Sequence, residues 1–94
     1  MRLSDHEVQM VRKIVHEADS HGRIYVFGSR ADDAKRGGDI DLYFEPSAPL
    51  DLKRALALEY RLSVACDIKV DLLVRNPGQE DTAIFTIARK GVLL

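Results

Sequence analysis

The alternation of helical and strand-like patterns along the chain predicts an α/β (α+β) fold, with three main strands on a helical layer. Two long segments repeat apolar residues at helical spacing, and three short segments are rich in β-branched and aromatic residues. Glycine and proline residues separate these segments and mark the turns between them. The predicted order of elements is αβαβαβα, in which the second helix is short.

The first helix is predicted at about residues 4–20. Ser4 and Glu7 match a capping box, in which each side chain bonds to the backbone of the other residue. One face of this helix is apolar and consists of Val8, Val11, Ile14, Val15 and Ala18. Residues 24–27 then form an apolar run without alternation, which predicts a strand covered on both faces.

Gly28 and Ser29 end the first strand, and Ser29 could cap a short helix that continues through Ala34. The second strand is predicted at residues 39–44, where side chains alternate between the two faces of the sheet. One face carries Ile40, Leu42 and Phe44, and the other carries Asp39, Asp41 and Tyr43. The pattern therefore places two carboxylates on one side of the same strand.

A second long helix is predicted at residues 50–65 and a third strand at residues 68–74. One stripe of this helix is mostly apolar and is expected to face the protein core; it consists of Leu52, Ala55, Leu56, Glu59, Leu62 and Ala65. In the third strand the even-numbered residues are all apolar, so Asp71 lies on the opposite face. A last helix at residues 80–90 and a short edge strand at 92–94 complete the prediction.

The composition excludes several classes of protein. With 94 residues, 46% of them apolar and 31% charged, the chain is expected to fold as one domain, residues 1–94. We expect no membrane-spanning helix and no signal peptide. The single cysteine, Cys66, excludes an internal disulfide and a cysteine-based zinc site. A net charge of −1 argues against a general binder of nucleic acids or membrane surfaces.

Three carboxylates form the first part of a predicted catalytic site. Asp39 and Asp41, two residues apart on one strand, have Cα atoms about 6.5–7 Å apart and repel each other unless a cation lies between them. Hard divalent cations such as Mg²⁺ take carboxylate ligands together with substrate phosphates. Asp71, from a further strand, would complete a site for two ions, and two ions can assist an in-line displacement at phosphorus.

The Gly28-Ser29 pair forms the second part of this site. Glycine allows the backbone to approach a phosphate closely, and the start of the following helix presents N–H groups to it. Either motif alone is common, since an Asp-x-Asp pair also occurs at solvated strand ends. Their combination, in this order and on these elements, favours nucleotidyl transfer.

These motifs resemble the minimal nucleotidyltransferase (MNT) family of the DNA polymerase β-like nucleotidyltransferase superfamily. The resemblance extends over essentially the whole chain and depends on Val26-Phe27-Gly28-Ser29-Arg30-Ala31, Gly38-Asp39-Ile40-Asp41-Leu42 and Val70-Asp71-Leu72-Leu73. It implies the nucleotidyltransferase fold, with a small mixed sheet packed on helices. The strand of Asp39 and Asp41 is then the middle of three core strands, with the strand of Asp71 beside it.

The resemblance also implies roles for the site residues. Asp39 and Asp41 would ligate two Mg²⁺ ions, or two Mn²⁺ ions, while Asp71 would ligate the catalytic ion and help to deprotonate the attacking hydroxyl. The nucleoside triphosphate, expected to be ATP, would be held by Gly28, Ser29 and Arg30.

The acceptor is expected on a partner protein, because the chain has no second domain to bind one. In the family that partner is typically a HEPN protein encoded nearby, a toxin whose RNase activity is silenced when AMP is transferred to it. We therefore expect a cytoplasmic antitoxin that could also self-associate, with no direct nucleic-acid binding. The alternative is a binding module that masks its partner with little or no catalysis. This alternative is suggested by Asp32 and Asp33, whose negative charges beside the triphosphate site should weaken nucleotide binding. A small-molecule nucleotidyltransferase is a third interpretation.

Overall fold

A computed structural model describes residues 1–32 and 38–94 of the chain. The elements are α1 (Asp5–Ala18), β1 (Arg23–Phe27), a single 3₁₀ turn (Gly28–Ala31), β2 (Ile40–Glu45), α2 (Leu52–Cys66), β3 (Val70–Val74), α3 (Ala83–Arg89) and β4 (Val92–Leu93). The predicted alternation of helices and strands is confirmed. α1 and α3 are shorter than predicted at both ends, whereas α2 begins two residues later and ends one residue later than predicted. Capping residues take over from the helical backbone at these ends.

The four strands form one mixed sheet in the order β3-β2-β1-β4. β2 pairs with β3 in parallel and with β1 antiparallel, and the two-residue β4 adds antiparallel to the outer side of β1. β2 is therefore central, as expected; it begins one residue later than predicted, so that it carries Asp41 while Asp39 lies just before it. The C-terminal edge strand is also confirmed.

Each face of the sheet has its own apolar cluster. Against one face pack α1 and α2, and the buried residues there are Val11, Ile14, Val15, Ile24, Val26, Ile40, Leu42, Phe44, Leu58, Leu62 and Val70. The other face carries a smaller cluster with α3, made of Tyr25, Tyr43, Phe85 and Ala88. Because α3 has only seven residues, part of this second face remains available for polar groups.

The first helix has the N-terminal cap that the sequence predicts, and α2 has caps that were not predicted. The Ser4 hydroxyl accepts from the Glu7 N–H at 3.1 Å, and the Glu7 carboxylate accepts from the Ser4 N–H at 2.8 Å. This is the predicted capping box. At α2, Asp51 is the N-cap and Asp67 ends the helix with a left-handed backbone, φ 51°.

The stripe predicted for α2 is wrong at its N-terminal half. The side chains of Leu52 and Leu56 are 75% and 55% exposed, whereas Leu58 and Leu62 are buried. The physical reason is that α2 packs on both α1 and β3, so its buried face is set by two neighbours. Glu59 does face the protein, and its Oε2 accepts from the Leu72 N–H at 2.8 Å. A charged residue on this stripe thus satisfies a backbone donor at the sheet edge.

The predicted short helix is a single 3₁₀ turn. It begins at Gly28, the residue before it provides no side-chain cap, and Asp32 already has an extended backbone. Ser29 is therefore inside the turn and is not its cap, a correction that follows from the tight turn made by Gly28. Of the predicted features, Asp33 and the end of the helix at Ala34 lie outside the described residues.

Across residues 1–32 and 38–94, none of the helices is long and apolar enough to cross a membrane.

Candidate active site

Asp41 and Asp71 lie side by side on the α3 face of the sheet. They are register partners in the parallel pair β2–β3, and adjacent strands lie about 4.8 Å apart. Asp39 precedes β2 by one residue and is exposed to solvent. The alternation of β2 and the parallel register therefore bring together two carboxylates from residues that are 30 positions apart in the chain.

The charge of Asp41 is disfavoured in this position. Burial raises the pKa of the Asp41 carboxyl, and the negative charges of Asp71 and Asp39 raise it further, while the Lys69 ammonium opposes them. Lys69 Nζ lies 3.7 Å from Asp71 Oδ1, but both side chains are at least half exposed, so this ion pair compensates the repulsion only weakly. A cation between the carboxylates would relieve it.

Gly28 lies against the Asp41 carboxylate. Phe27, the last residue of β1, is the register partner of Asp41, so the chain turns at Gly28 beside that side chain. Gly28 has a φ of +69°, and a Cβ atom on it would lie 2.5 Å from Asp41 Oδ2. Both the left-handed backbone and this approach require glycine. The backbone of the turn and the Asp41 carboxylate are therefore in close contact.

Ser29 and Gly38 bring the two ends of the following loop together. Gly38 has a φ of +84°, and a Cβ atom on it would lie 2.9 Å from the Ser29 hydroxyl. The half-buried Ser29 is thus held next to the segment that leads into Asp39. Of the predicted site residues, the structure brings together Gly28, Ser29, Asp39, Asp41 and Asp71.

Arg30 bonds through its side chain to the N-terminal part of the chain. Its side chain is only 14% exposed, and Nη1 donates to the backbone carbonyl of Arg2 at 2.9 Å. The same nitrogen lies 3.8 Å from Glu7 Oε1. Its guanidinium therefore contacts α1 and the N-terminal segment of the chain.

A polar network on the same face was missed by the sequence analysis. Arg89 of α3 donates to Glu45 Oε2 at 2.8 Å and to the Tyr43 hydroxyl at 3.0 Å, and that hydroxyl donates to Glu45 Oε2 at 2.8 Å. Arg89 Nη2 also donates to Asp81 Oδ1 at 2.9 Å. This network fixes α3 over the end of β2 that is remote from Asp41. The available signal was the Tyr43-x-Glu45 alternation, which continues the polar face of β2.

The donor set fits a hard divalent cation. Neighbouring carboxylates that are open to solvent on one side are ligands that Mg²⁺ and Mn²⁺ accept alongside phosphate oxygens. The raised pKa of Asp41 means that the charge of this carboxylate is poorly compensated by the protein itself. Within the described part of the chain, no three acidic, histidine or cysteine side chains are gathered tightly enough to hold an ion. Asp41 and Asp71 thus share one face of the sheet and Asp39 lies just before β2, but the three carboxylates do not converge as a closed ligand cage.

The solved structures that share this fold include three toxin–antitoxin complexes. One is a tri-AMPylated Shewanella oneidensis HEPN toxin in complex with MNT antitoxin, with a TM-score of 0.62 and 25% identity over 84% of this chain and 59% of that one. A toxin–antitoxin complex with AMP-PNP has a TM-score of 0.63 and 26% identity over 77% and 57%. The mutant MntA–HpeT toxin–antitoxin complex has 0.61 and 26% over 72% and 55%. This chain therefore spans less than two thirds of each solved chain.

Sequence comparison agrees with the fold. A Methanocaldococcus jannaschii protein that carries the name protein adenylyltransferase is 36% identical over 66 residues, which are 69% of this chain and 67% of that protein. The family described as Polymerase beta, Nucleotidyltransferase matches residues 9–94, from α1 to the last residue and including every predicted site residue. The chain therefore belongs to the polymerase beta nucleotidyltransferase family.

Proposed function

We propose that this protein transfers AMP from ATP onto a hydroxyl group of a HEPN partner protein, and thereby acts as an antitoxin. The observation that carries the proposal is the pairing of Asp41 with Asp71 in register, with Gly28 closed against the Asp41 carboxylate. Paired carboxylates bind cations, and a glycine turn beside them leaves room for a phosphate chain. The names of the relative and of the solved complexes support the choice of AMP and of a HEPN protein.

Each carboxylate has a proposed role in the transfer. Asp39 and Asp41 would hold two Mg²⁺ or Mn²⁺ ions, which when bound polarise the phosphate and stabilise the charge of the attacking and leaving oxygens. Asp71 would hold one of these ions and accept the proton of the acceptor hydroxyl. That oxygen bonds to the α-phosphorus as the bond to the β-phosphate oxygen breaks, and pyrophosphate leaves.

The turn after β1 would bind the triphosphate. Gly28 allows close approach of the backbone, and the Ser29 hydroxyl, held beside Gly38, can donate to a phosphate oxygen. Because Arg30 bonds to the protein's own backbone, the role proposed for it is to support this turn. ATP and an intracellular toxin as substrates would place the reaction in the cytoplasm.

A binding module that masks the HEPN partner without catalysis is the second candidate. It is favoured by the absence, among the described residues, of a gathered set of three metal-binding side chains. The exposed acid Asp32 at the end of the 3₁₀ turn also favours it, because a negative charge beside a triphosphate weakens binding.

Transfer of label separates the two candidates. The protein is incubated with the HEPN protein encoded beside it, Mg²⁺ and ATP labelled at the α-phosphate. We expect label on the HEPN protein with the natural sequence and with the control Asp51→Asn, which keeps an equally good helix cap. Label should be lost with Asp39→Asn and Asp41→Asn. Toxin neutralisation by these two variants, with no label on either protein in any reaction, would favour the binding module.

A further inference from the structure

The segment before α1 is bonded to the turn that carries Ser29. The Arg2 N–H donates to the carbonyl of Arg30 at 2.7 Å. Its guanidinium donates to two more carbonyls of the turn, from Nη2 to that of Ser29 at 3.1 Å and from Nε to that of Asp32 at 3.2 Å. One residue near the N-terminus therefore satisfies three backbone acceptors at the C-terminal end of the 3₁₀ turn.

Arg30 returns this contact and extends it. Its Nη1 donates to the Arg2 carbonyl at 2.9 Å, so the two arginines hold each other's backbone. Its Nε and Nη2 lie 3.4 Å from the Gly38 carbonyl, at the far end of the loop that leads to Asp39. Its approach to Glu7, at 3.8 Å, adds the capped first turn of α1 to the same network.

A single 3₁₀ turn needs such support. Its hydrogen bonds are poorly aligned, and short turns leave carbonyl groups at their C-terminal end without internal partners. Within this turn the Asp32 N–H donates to the Ser29 carbonyl at 3.3 Å, a long bond. Charged donors make stronger bonds to carbonyls than neutral ones do, so Arg2 is well suited to keep the turn formed.

We propose that Arg2 and Arg30 are positioning residues that hold Ser29 and Gly28 in the geometry that receives the triphosphate. The inference rests on the proposed function and extends it, because it assigns Arg2 a role and makes Arg30 a support and not a nucleotide ligand. Neither arginine needs to touch the nucleotide. Removing the bonds that Arg2 and Arg30 make to the turn, called the clamp below, should weaken ATP binding more than it lowers the stability of the fold.

Three variants test the inference. Arg2→Ala removes the guanidinium that donates to two carbonyls, and Arg2→Lys keeps the charge but can reach fewer carbonyls. Arg12→Ala is the control, because it removes an exposed arginine of α1. The first measurement is amide hydrogen exchange at Asp32 in the nucleotide-free protein, which reports whether the turn is formed. The second is the Kd for ATP with Mg²⁺, read beside the midpoint of thermal unfolding.

We expect Arg2→Ala to speed exchange at Asp32 and to raise the Kd for ATP about tenfold, with Arg2→Lys intermediate and Arg12→Ala like the natural protein. The thermal midpoint should change much less than the affinity. Exchange at Asp32 that is the same in all four proteins would overturn the inference. If the natural protein binds no ATP, the proposed function fails, and the exchange measurement still decides whether the clamp orders the turn.

Discussion

Replacing Asp41 with asparagine should stabilise the metal-free protein. The natural side chain is flanked by Asp71 and Asp39, and its raised pKa, caused first by burial and then by these charges, means that folding disfavours the carboxylate. Asparagine has nearly the same shape and no charge. The substitution therefore removes the repulsion while leaving the contact with Gly28 in place.

The magnitude follows from the strand spacing. Two unit charges about 5 Å apart repel by ~1 kcal/mol in water and by ~3 kcal/mol at an effective dielectric constant of about 20. The Asp71 side chain is 50% exposed, and salt screens the pair, so we expect a value near ~1 kcal/mol. For a domain of this size, that gain raises the midpoint of thermal unfolding by about 4–8 °C.

Circular dichroism in EDTA measures this shift, with Asp51→Asn as the control. The pKa of Asp41 in the folded protein is raised above its ordinary value of 3.8, so between these two pKa values the folded state binds more protons than the unfolded state. The free energy of unfolding of the natural protein therefore falls as the pH rises from 3.8 through the pKa of the folded state. The gain should therefore be present at pH 7, vanish at pH values below 3.8, and shrink at high salt. Adding Mg²⁺ should stabilise the natural protein more than Asp41→Asn. An unchanged or lower midpoint for Asp41→Asn at pH 7 in EDTA would refute this reasoning.

Three further predictions concern the framework around the site. Gly28→Ala should abolish ATP binding and cost about 1–3 kcal/mol of unfolding free energy. Gly78→Ala is the control: Gly78 also has a positive φ, but among the described residues no atom beyond its chain neighbours lies within 4 Å of the added Cβ, so this variant should cost only the backbone strain. Equal losses of ATP affinity in both variants would contradict this. Glu59→Leu should lower the free energy of unfolding, measured in urea, by about 1–3 kcal/mol because it leaves the Leu72 N–H of β3 without its acceptor. Glu59→Gln keeps an acceptor and should cost less. A larger loss for Glu59→Gln would exclude the role of Glu59 as the acceptor for this N–H. Burial alone would raise the pKa of Asp19, but hydrogen bonds led by those from Ser47 hold the pKa below its ordinary value. The Asp19 carboxylate therefore stabilises the folded protein at neutral pH, and this stabilisation is lost as the pH falls below about 4. Asp19→Asn should therefore be less stable than the natural protein at pH 7 and equal to it at low pH, and a difference that persists at low pH would argue against the charge as its cause.

The polar face of the sheet was predictable because it depends on a period of two. One face of each strand is entirely apolar, with Ile40, Leu42 and Phe44 in β2 and Val70, Leu72 and Val74 in β3. Asp41 and Asp71 occupy the alternate positions, so each carboxylate was expected to point away from the main core. Their pairing in register depends on the parallel alignment, and a slip of one residue would have put them on opposite faces. The family resemblance, and not the strand pattern, implied that the two strands are neighbours.

Other features could not be predicted because they arise from tertiary contacts. The bonds between Arg2 and the turn at Ser29 join residues 27 positions apart, and no local pattern marks them. The exposure of Leu52 and Leu56 depends on how α2 lies across its neighbours, which helical periodicity does not specify. Glu59 offered a partial signal, since a carboxylate on an otherwise apolar stripe needs a buried donor.

The location of the site on β2 explains how the protein can hold repelling charges. Every second residue of this strand is completely buried against α1 and α2, so the backbone that carries Asp41 is fixed from the opposite face. On the site face, the network of Tyr43, Glu45 and Arg89 holds the far end of the same strand. A strand that is anchored on both faces can hold a carboxylate where its charge is unfavourable, because the packing of the rest of the fold offsets the free energy of the repulsion. In the proposed function a bound cation would relieve this repulsion, so the feature that weakens the metal-free fold is the one that the proposed chemistry would use.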